Sequence, residues 1–260
     1  DVYKRQGEIK MFTEERHNII LRELKIKGMI SVNDLVKLLN TSESTIRRDL
    51  NALDSEGLLK KIHGGATLVG EKASRHDYKV NVRKSLNLDE KRKIAIHAAS
   101  LIQDEDVIYI DAGTTTELII EFISNTNITA VTNGIVHAKK LLEKNIKTFI
   151  LGGEIKDVTE AIIGSNAVLD LKKYNFSKGF FGANGISNEN GYTTPDVTEG
   201  MVKAEALRRC KKAYVLADES KLDQVSFVTF GNIEDATLIT NKLNGNTKYD
   251  TNVIGVIWID

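Results

Sequence analysis

Seven short apolar runs between Val107 and Ile259 constrain this chain more than any other feature. They are Val107–Ile110, Ile128–Val131, Thr148–Leu151, Gly179–Phe181, Tyr214–Ala217, Thr237–Thr240 and Val253–Ile259, with helical patterns between them. A strand that is apolar at successive positions must be covered on both faces, and strands separated by helix-length segments pair in parallel. The pattern predicts a parallel-sheet α/β domain over residues 89–260, entered by a helix from about Asp89 through Ile94, Ala98 and Leu101.

Upstream, the apolar period is helical. A first helix is expected from Thr13 to about Lys27, with Thr13 as N-cap, Glu14 and Glu15 in the first turn, and Gly28 as its stop. A second follows Ser31, whose spacing to Asp34 is that of a capping box with Asp in place of Glu. A third is capped by Ser42 and runs to about Ser55, burying Ile46, Leu50 and Leu53 at i, i+4 and i+7, and Gly57 ends it. Leu58–Ile62 and Ala66–Val69 flank His63-Gly64-Gly65 as a hairpin wing. Residues 11–69 thus read as a small three-helix head, and residues 70–88, polar around Ser74, Arg75, His76 and Asp77, as a linker. The first six residues match the translation of a sequencing-library adaptor end, GATGTGTATAAGAGACAG. Residues 7–10 fit a ribosome-binding site read as protein, so residues 1–10 are expected to be a non-native artefact preceding Met11.

Composition sets the partner class. Hydrophobic residues make up 41% and charged residues 28% of 260, and no run reaches the roughly 18 apolar residues that span a bilayer. Cys210 is the single cysteine, which excludes a disulfide framework and fits a reducing cytoplasm. The zero net charge hides an asymmetry. Residues 11–93 carry 17 Lys+Arg against 12 Asp+Glu, while residues 94–260 carry 16 against 22. A basic head on an acidic body suits a polyanion at the head.

At about 100° per residue, Ser44, Arg47, Arg48 and Asn51 point away from the buried stripe of the third helix. These side-chain types reach phosphates and base edges, although an Arg-Arg face on a helix is also often only solvated. The run Thr41-Ser42-Glu43-Ser44-Thr45-Ile46-Arg47-Arg48-Asp49-Leu50, followed by Lys60-Lys61-Ile62-His63-Gly64-Gly65-Ala66, closely resembles the DeoR winged helix-turn-helix, whose hallmarks are S-x-x-T-I-R-R-D-L and H-G-G-A. The resemblance implies binding to double-stranded operator DNA through Ser42, Ser44, Thr45, Arg47, Arg48, Asn51, Lys60, Lys61 and His63. Thr41 stands where the family usually has Val, which implies a slightly looser turn.

The strand ends hold the polar residues of the body. Asp111-Ala112-Gly113-Thr114-Thr115-Thr116 joins a glycine turn, three hydroxyls and a helix start, a donor set suited to phosphate. Thr132-Asn133, Gly152-Gly153, Gly182-Ala183-Asn184-Gly185 and Asp218-Glu219-Ser220-Lys221 end later strands and together can form one polar mouth. Roughly residues 80–245 resemble the DeoR sensor domain, which belongs with ribose-5-phosphate isomerase and CoA-transferase folds. By that resemblance Asp111 and Gly113–Thr116 hold the phosphate of a phosphorylated sugar effector. Asn133, Gly152, Asn184 and Lys221 line its sugar end, with Gly153, Lys203 and Asp218 in the same site. Glu199-Gly200-Met201-Val202-Lys203 matches a family segment usually ending E-A-x-V-K. Gly200 replaces Ala and so predicts a later helix start, and Lys203 with Glu199 reads equally well as an exposed i, i+4 pair.

Three functions fit parts of this pattern. An isomerase of this fold uses a D-G-A-D-E segment for proton transfer, but Phe181-Gly182-Ala183-Asn184-Gly185 stands there, and none of these residues abstracts a carbon-bound proton. A protein-interaction module with an empty pocket is a second alternative. The favoured expectation is a non-enzymatic, cytoplasmic, homo-oligomeric repressor of a sugar-metabolism operon, modulated by a phosphosugar, with no cofactor, metal or membrane partner.

Overall fold

The computed structural model describes residues 13–56, 58–67, 84, 87–125, 127–241 and 256–259. Expectations for residues 1–10, for Gly57, for most of the linker 70–88, and for the beginning of the last apolar run lie outside them. The chain divides into two compact units, residues 1–73 and 74–260.

In the first unit the order is α1 (Thr13–Lys27), β1 (Met29–Ser31), α2 (Val32–Leu39), α3 (Glu43–Ser55), β2 (Lys60–Ile62) and β3 (Gly65–Thr67). Thr13 is already helical. Gly28, at φ 71°, closes α1 by donating its N–H to the Leu24 carbonyl at 2.6 Å. Ser31 caps α2: the Asp34 N–H donates to its hydroxyl at 3.1 Å, and that hydroxyl donates to the Asp34 carboxylate at 2.7 Å. Ser42 caps α3 by accepting from the Thr45 N–H, and the Leu58 N–H donates to the Leu53 carbonyl, the 6→1 closure of a Schellman end.

The hairpin β2–β3 gains a third strand, because β1 pairs antiparallel with β3. The sequence reading missed β1, since three residues carry no period of their own. Ile20, Leu24, Leu35, Ile46, Leu50 and Leu53 meet in one fully buried core. A bidentate ion pair adds to it. Arg16 of α1 donates to both oxygens of the buried Asp49 at 2.8 and 2.9 Å, and this pair fixes the angle at which α3 is presented.

In the second unit a seven-stranded, all-parallel sheet has the order β15-β14-β12-β9-β4-β5-β6. Its strands are β4 (Val107–Ile110), β5 (Thr129–Thr132), β6 (Lys147–Ile150), β9 (Phe176–Gly182), β12 (Cys210–Leu216), β14 (Thr237–Asn241) and β15 (Val256–Ile259). Each of the seven expected runs supplies one. The helices are α4 (Leu88–Ser100), α5 (Thr114–Phe122), α6 (Ile135–Glu143), α7 (Ser165–Leu171) and α8 (Val197–Arg208). Side chains alternate between two cores. Ile108, Ile110, Phe180 and Leu216 face Ile94, Ile119 and Leu141 of α4–α6, while Tyr109, Phe181 and Val215 face Leu171 and Val202 of α7 and α8.

Strand order reverses at one place. From β4 the chain steps outward to β5 and β6, then returns to the other side of β4 for β9 and continues to β12, β14 and β15. Such a switch point opens a crevice beyond the carboxyl ends of β4 and β9. Two smaller units lie outside the sheet: the hairpin β7 (Glu154–Lys156) with β8 (Ala161–Ile163), and the antiparallel set β10 (Gly185–Ser187), β11 (Gly191–Thr194) and β13 (Val228–Gly231).

One expectation fails here. Helix α8 does not start late; it begins at Val197, capped by Asp196, and Gly200 sits inside its first turn. A β-carbon at Gly200 would lie 2.8 Å from Val228 Cγ1 and 3.3 Å from Thr194 Cγ2. Close packing against β11 and β13 therefore explains the glycine, and it outweighs the helix propensity of about 1 kcal/mol that Ala would add.

Candidate functional site

On α3, Ser42, Ser44, Arg47, Arg48 and Asn51 are exposed opposite the buried stripe, and Thr45 is half-buried. Their availability differs. Ser42 is engaged as the cap, within 2.9 Å of Ser44 Oγ and 2.8 Å of Thr45 Oγ1. Arg47 donates twice to Glu43, at 2.6 and 2.8 Å. Lys61 Nζ, from the wing, donates to Asn51 Oδ1 at 2.6 Å and ties β2 to α3. Lys60, Lys61 and His63 are exposed along the hairpin. Arg48 makes no ion pair or hydrogen bond with a described residue, whereas Arg47 is held by Glu43.

In the second unit the strand-end residues form three linked groups. The first bridges the switch point. Asp111, fully buried after β4, accepts from the Gly182 N–H at the end of β9 at 3.0 Å and from Lys203 Nζ of α8. Lys203 also donates to the Gly182 carbonyl at 3.2 Å. Lys203 is thus not half of an exposed pair with Glu199: it is 2% exposed, its partner is Asp111, and Glu199 lies 3.9 Å away. Glu199 and Asp196 in turn hold Lys156 of β7, each at 3.2 Å.

The second group surrounds the start of α5. Gly113 is its N-cap and supplies no side-chain bond, so the first-turn N–H groups are left for another partner. Lys91 of α4, buried, donates to Thr114 Oγ1 at 3.3 Å. Asp218 after β12 accepts from Asn87 at 2.8 Å and from the Ser220 N–H at 3.1 Å. Burial opposes its charge, but the fields of Lys221 and Lys91 and the bonds from Ser220 and Asn87 prevail, and its pKa falls below the usual carboxylate value. Lys91 and Lys221 thus both act on Asp218, beside a helix start that no side chain caps.

The third group lies on the other side of Thr114. Gly113, Thr114, Glu117, Val136, His137, Thr159 and Glu160 line a small cleft of ≈ 10 Å³. His137 Nε2 is 3.1 Å from the Gly113 carbonyl and 3.3 Å from Thr116 Oγ1, and Thr116 donates to the Asp111 carbonyl at 2.6 Å. Glu117 is held by Lys140 at 2.8 Å and Lys84 at 3.0 Å.

Burial pulls the His137 imidazole down to about 4, against the fields of Glu117 and Asp111. Between that value and the ordinary 6.5, the unfolded chain binds a proton that the folded chain refuses. Stability is therefore full above about pH 6.5 and falls as pH drops toward 4, by about 3 kcal/mol. Urea midpoints measured from pH 4 to 7.5 are expected to show this slope, and His137→Gln is expected to flatten it. An equal slope in both proteins would contradict the assignment.

The remaining expected residues are placed differently. Asn133 is fully buried and spends its side chain on the scaffold, accepting from the Ala112 N–H at 2.8 Å and donating to the Ile162 carbonyl at 3.3 Å. Gly152 and Gly153 follow β6, two strands from the switch point. The Gly152 N–H is taken by Asp170 at 2.8 Å, and Gly153 is pressed to within 2.6 Å of the Ile163 carbonyl, measured from an added β-carbon. Asn184 is half-buried beside Thr194. Sequence reasoning missed Lys91, Asn87, Glu117, His137, Lys156 and Thr159. Lys91 stood in a run of charged residues like any solvated helix start, and only its packing distinguishes it. No described helix is long and apolar enough to cross a membrane, and no described group of three His, Cys, Asp or Glu is placed to hold a metal.

Comparison with known proteins agrees with both units. Residues 16–72 match the DeoR-like helix-turn-helix domain and residues 86–242 the DeoR C terminal sensor domain. The uncharacterised HTH-type transcriptional regulator FruR of Bacillus subtilis is 44% identical over 231 residues, covering 88% of this chain and 91% of its own. The lactose phosphotransferase system repressor of Staphylococcus aureus is 35% identical over 247 residues, covering 93% and 96%. Among solved structures, ribose 5-phosphate isomerase A of Methanocaldococcus jannaschii superposes on 52% of this chain and 55% of its own, at 20% identity and a TM-score of 0.40.

Proposed function

This chain belongs to the DeoR family of transcriptional regulators, and from that premise we propose that it represses a sugar-metabolism operon until a phosphorylated sugar binds its sensor domain. The family makes it a DNA-binding regulator rather than an enzyme, in keeping with the missing carboxylates of Phe181–Gly185. Relatives named for sugar systems, the lactose phosphotransferase system repressor among them, support the operon class. The observation that carries the effector reading is the start of α5, which no side chain caps and which Lys91 flanks, with Lys221 acting on the neighbouring Asp218. A phosphate dianion accepts from first-turn N–H groups and neutralises the two lysines.

In this reading Gly113–Thr116, Lys91 and Lys221 bind the phosphate, while Asp111, Lys203, Asn184 and Asp218 shape the site around it. Asn133, Gly152 and Gly153 hold the loops. The protein acts in the cytoplasm as a homo-oligomer, because paired heads match repeated half-sites. The effector acts by linkage: binding more tightly to the DNA-free state, it weakens operator binding by its differential affinity.

Fluorescence anisotropy on a duplex from the protein's own promoter tests this, with pentose and hexose phosphates, their free sugars, and inorganic phosphate as additives. At least one sugar phosphate is expected to weaken operator binding by about 5–150-fold, and its free sugar is not. If the whole panel leaves operator affinity and melting temperature unchanged, the effector reading fails.

A further inference from the structure

We propose that the cleft between α5, α6 and the β7–β8 turn is a second subsite, which takes an uncharged hydroxyl-bearing group through His137 Nδ1 and Thr159 Oγ1. The inference rests on the phosphate reading above and assigns the other end of the effector.

The first observation is Thr159. It lines the cleft, it is 5% exposed, and its Oγ1 bonds to no described residue. A buried hydroxyl without a partner is costly, and one at the wall of a cleft is poised for a ligand atom. The second is His137, which lines the same cleft with its Nε2 occupied by the Gly113 carbonyl and Thr116. The Gly113 N–H reaches Nε2 at 3.4 Å, but the Gly113 carbonyl is closer at 3.1 Å, and the Thr116 hydroxyl, which spends its proton on the Asp111 carbonyl, lies at 3.3 Å. Both call for a proton on Nε2, which leaves Nδ1 as an acceptor that bonds to no described residue. Gly134 admits the ring at this position, since a β-carbon there would lie 2.4 Å from Nδ1.

Charge decides what the cleft accepts. Its walls carry Glu117 and Glu160, and Lys140 and Lys84 are already engaged by Glu117. A phosphate here would meet two carboxylates. A hydroxyl instead donates to Nδ1 and exchanges a hydrogen bond with Thr159. Thr114 belongs to both regions, touching Lys91 on one side and lining the cleft on the other. A ligand with a phosphate at one end and hydroxyls at the other spans them.

The test compares wild type, Thr159→Val and Thr159→Ser in thermal melts and titrations with inorganic phosphate, pentose and hexose phosphates, and free sugars. Val removes the unpartnered hydroxyl at constant shape, so the ligand-free Thr159→Val protein is expected to melt about 2–4 °C higher. Its affinity for the best sugar phosphate is expected to fall about 3–10-fold with inorganic phosphate unchanged, while Thr159→Ser keeps wild-type affinity. Unchanged sugar-phosphate affinity in Thr159→Val overturns the subsite. So does an equal loss in Thr159→Ser, which marks a packing role. If wild type answers free sugars but no phosphate, and Thr159→Val abolishes that answer, the phosphate reading fails and the subsite stands. If wild type answers no sugar of either kind, the subsite is overturned.

Discussion

Arg48→Ala is expected to lower operator affinity by about 30-fold to 10⁴-fold while leaving the melting temperature unchanged. Arg48 lies in the first two turns of α3, exposed, and engaged by no described residue. An arginine on base edges or phosphates contributes about 1–3 kcal/mol, and an operator bound by two heads loses it twice. Arg47→Ala is expected to cost less, because Arg47 must first leave Glu43, which holds it at 2.6 Å. Anisotropy titrations on promoter and random duplex at two salt concentrations separate the possible contacts. A loss confined to the promoter indicates base reading, and a uniform loss with a salt slope reduced by about one indicates a phosphate. Wild-type operator affinity in Arg48→Ala would remove α3 from the DNA interface.

The second large effect falls on the body. Asp111→Asn is expected to destabilise it by about 3–5 kcal/mol, because Lys203 loses its close charged partner in a site from which water is excluded and keeps only the more distant Glu199, at 3.9 Å. For a unit of this size that lowers the melting temperature by roughly 6–20 °C. Lys203→Met exposes Asp111 to the mirror-image penalty. The Asp111→Asn, Lys203→Met double variant is expected to melt above either single one, since replacing both partners removes the stranded charge. Strictly additive losses in that cycle would show that the two side chains do not act as a pair. The pair matters beyond stability, because it ties β4, β9 and α8 together at the switch point where the effector is proposed to bind.

Several local features could be read from residues alone. Gly28 ends α1 and Ser31 and Ser42 cap their helices, because these choices rest on backbone conformation and neighbours within four residues. The central strands were legible because their apolar runs are buried on both faces; β6 was read from the same kind of run, although as an edge strand it leaves Phe149 and Ile150 exposed. The failures share a cause. Gly200 suggested a delayed helix by propensity, yet the distant Val228 sets its size. Lys203 offered an exposed pair by spacing, yet its partner is 92 residues away.

Local order, the apolar period and the phosphate-type loop after β4 were thus determined by the sequence, because each depends on residues adjacent along the chain. Only the tertiary structure decided the strand order, the reversal between β4 and β9, and which charges were removed from water. A charge's worth depends on what surrounds it in space: Lys91 and Lys203 look like any other lysine until packing buries them beside Thr114 and Asp111.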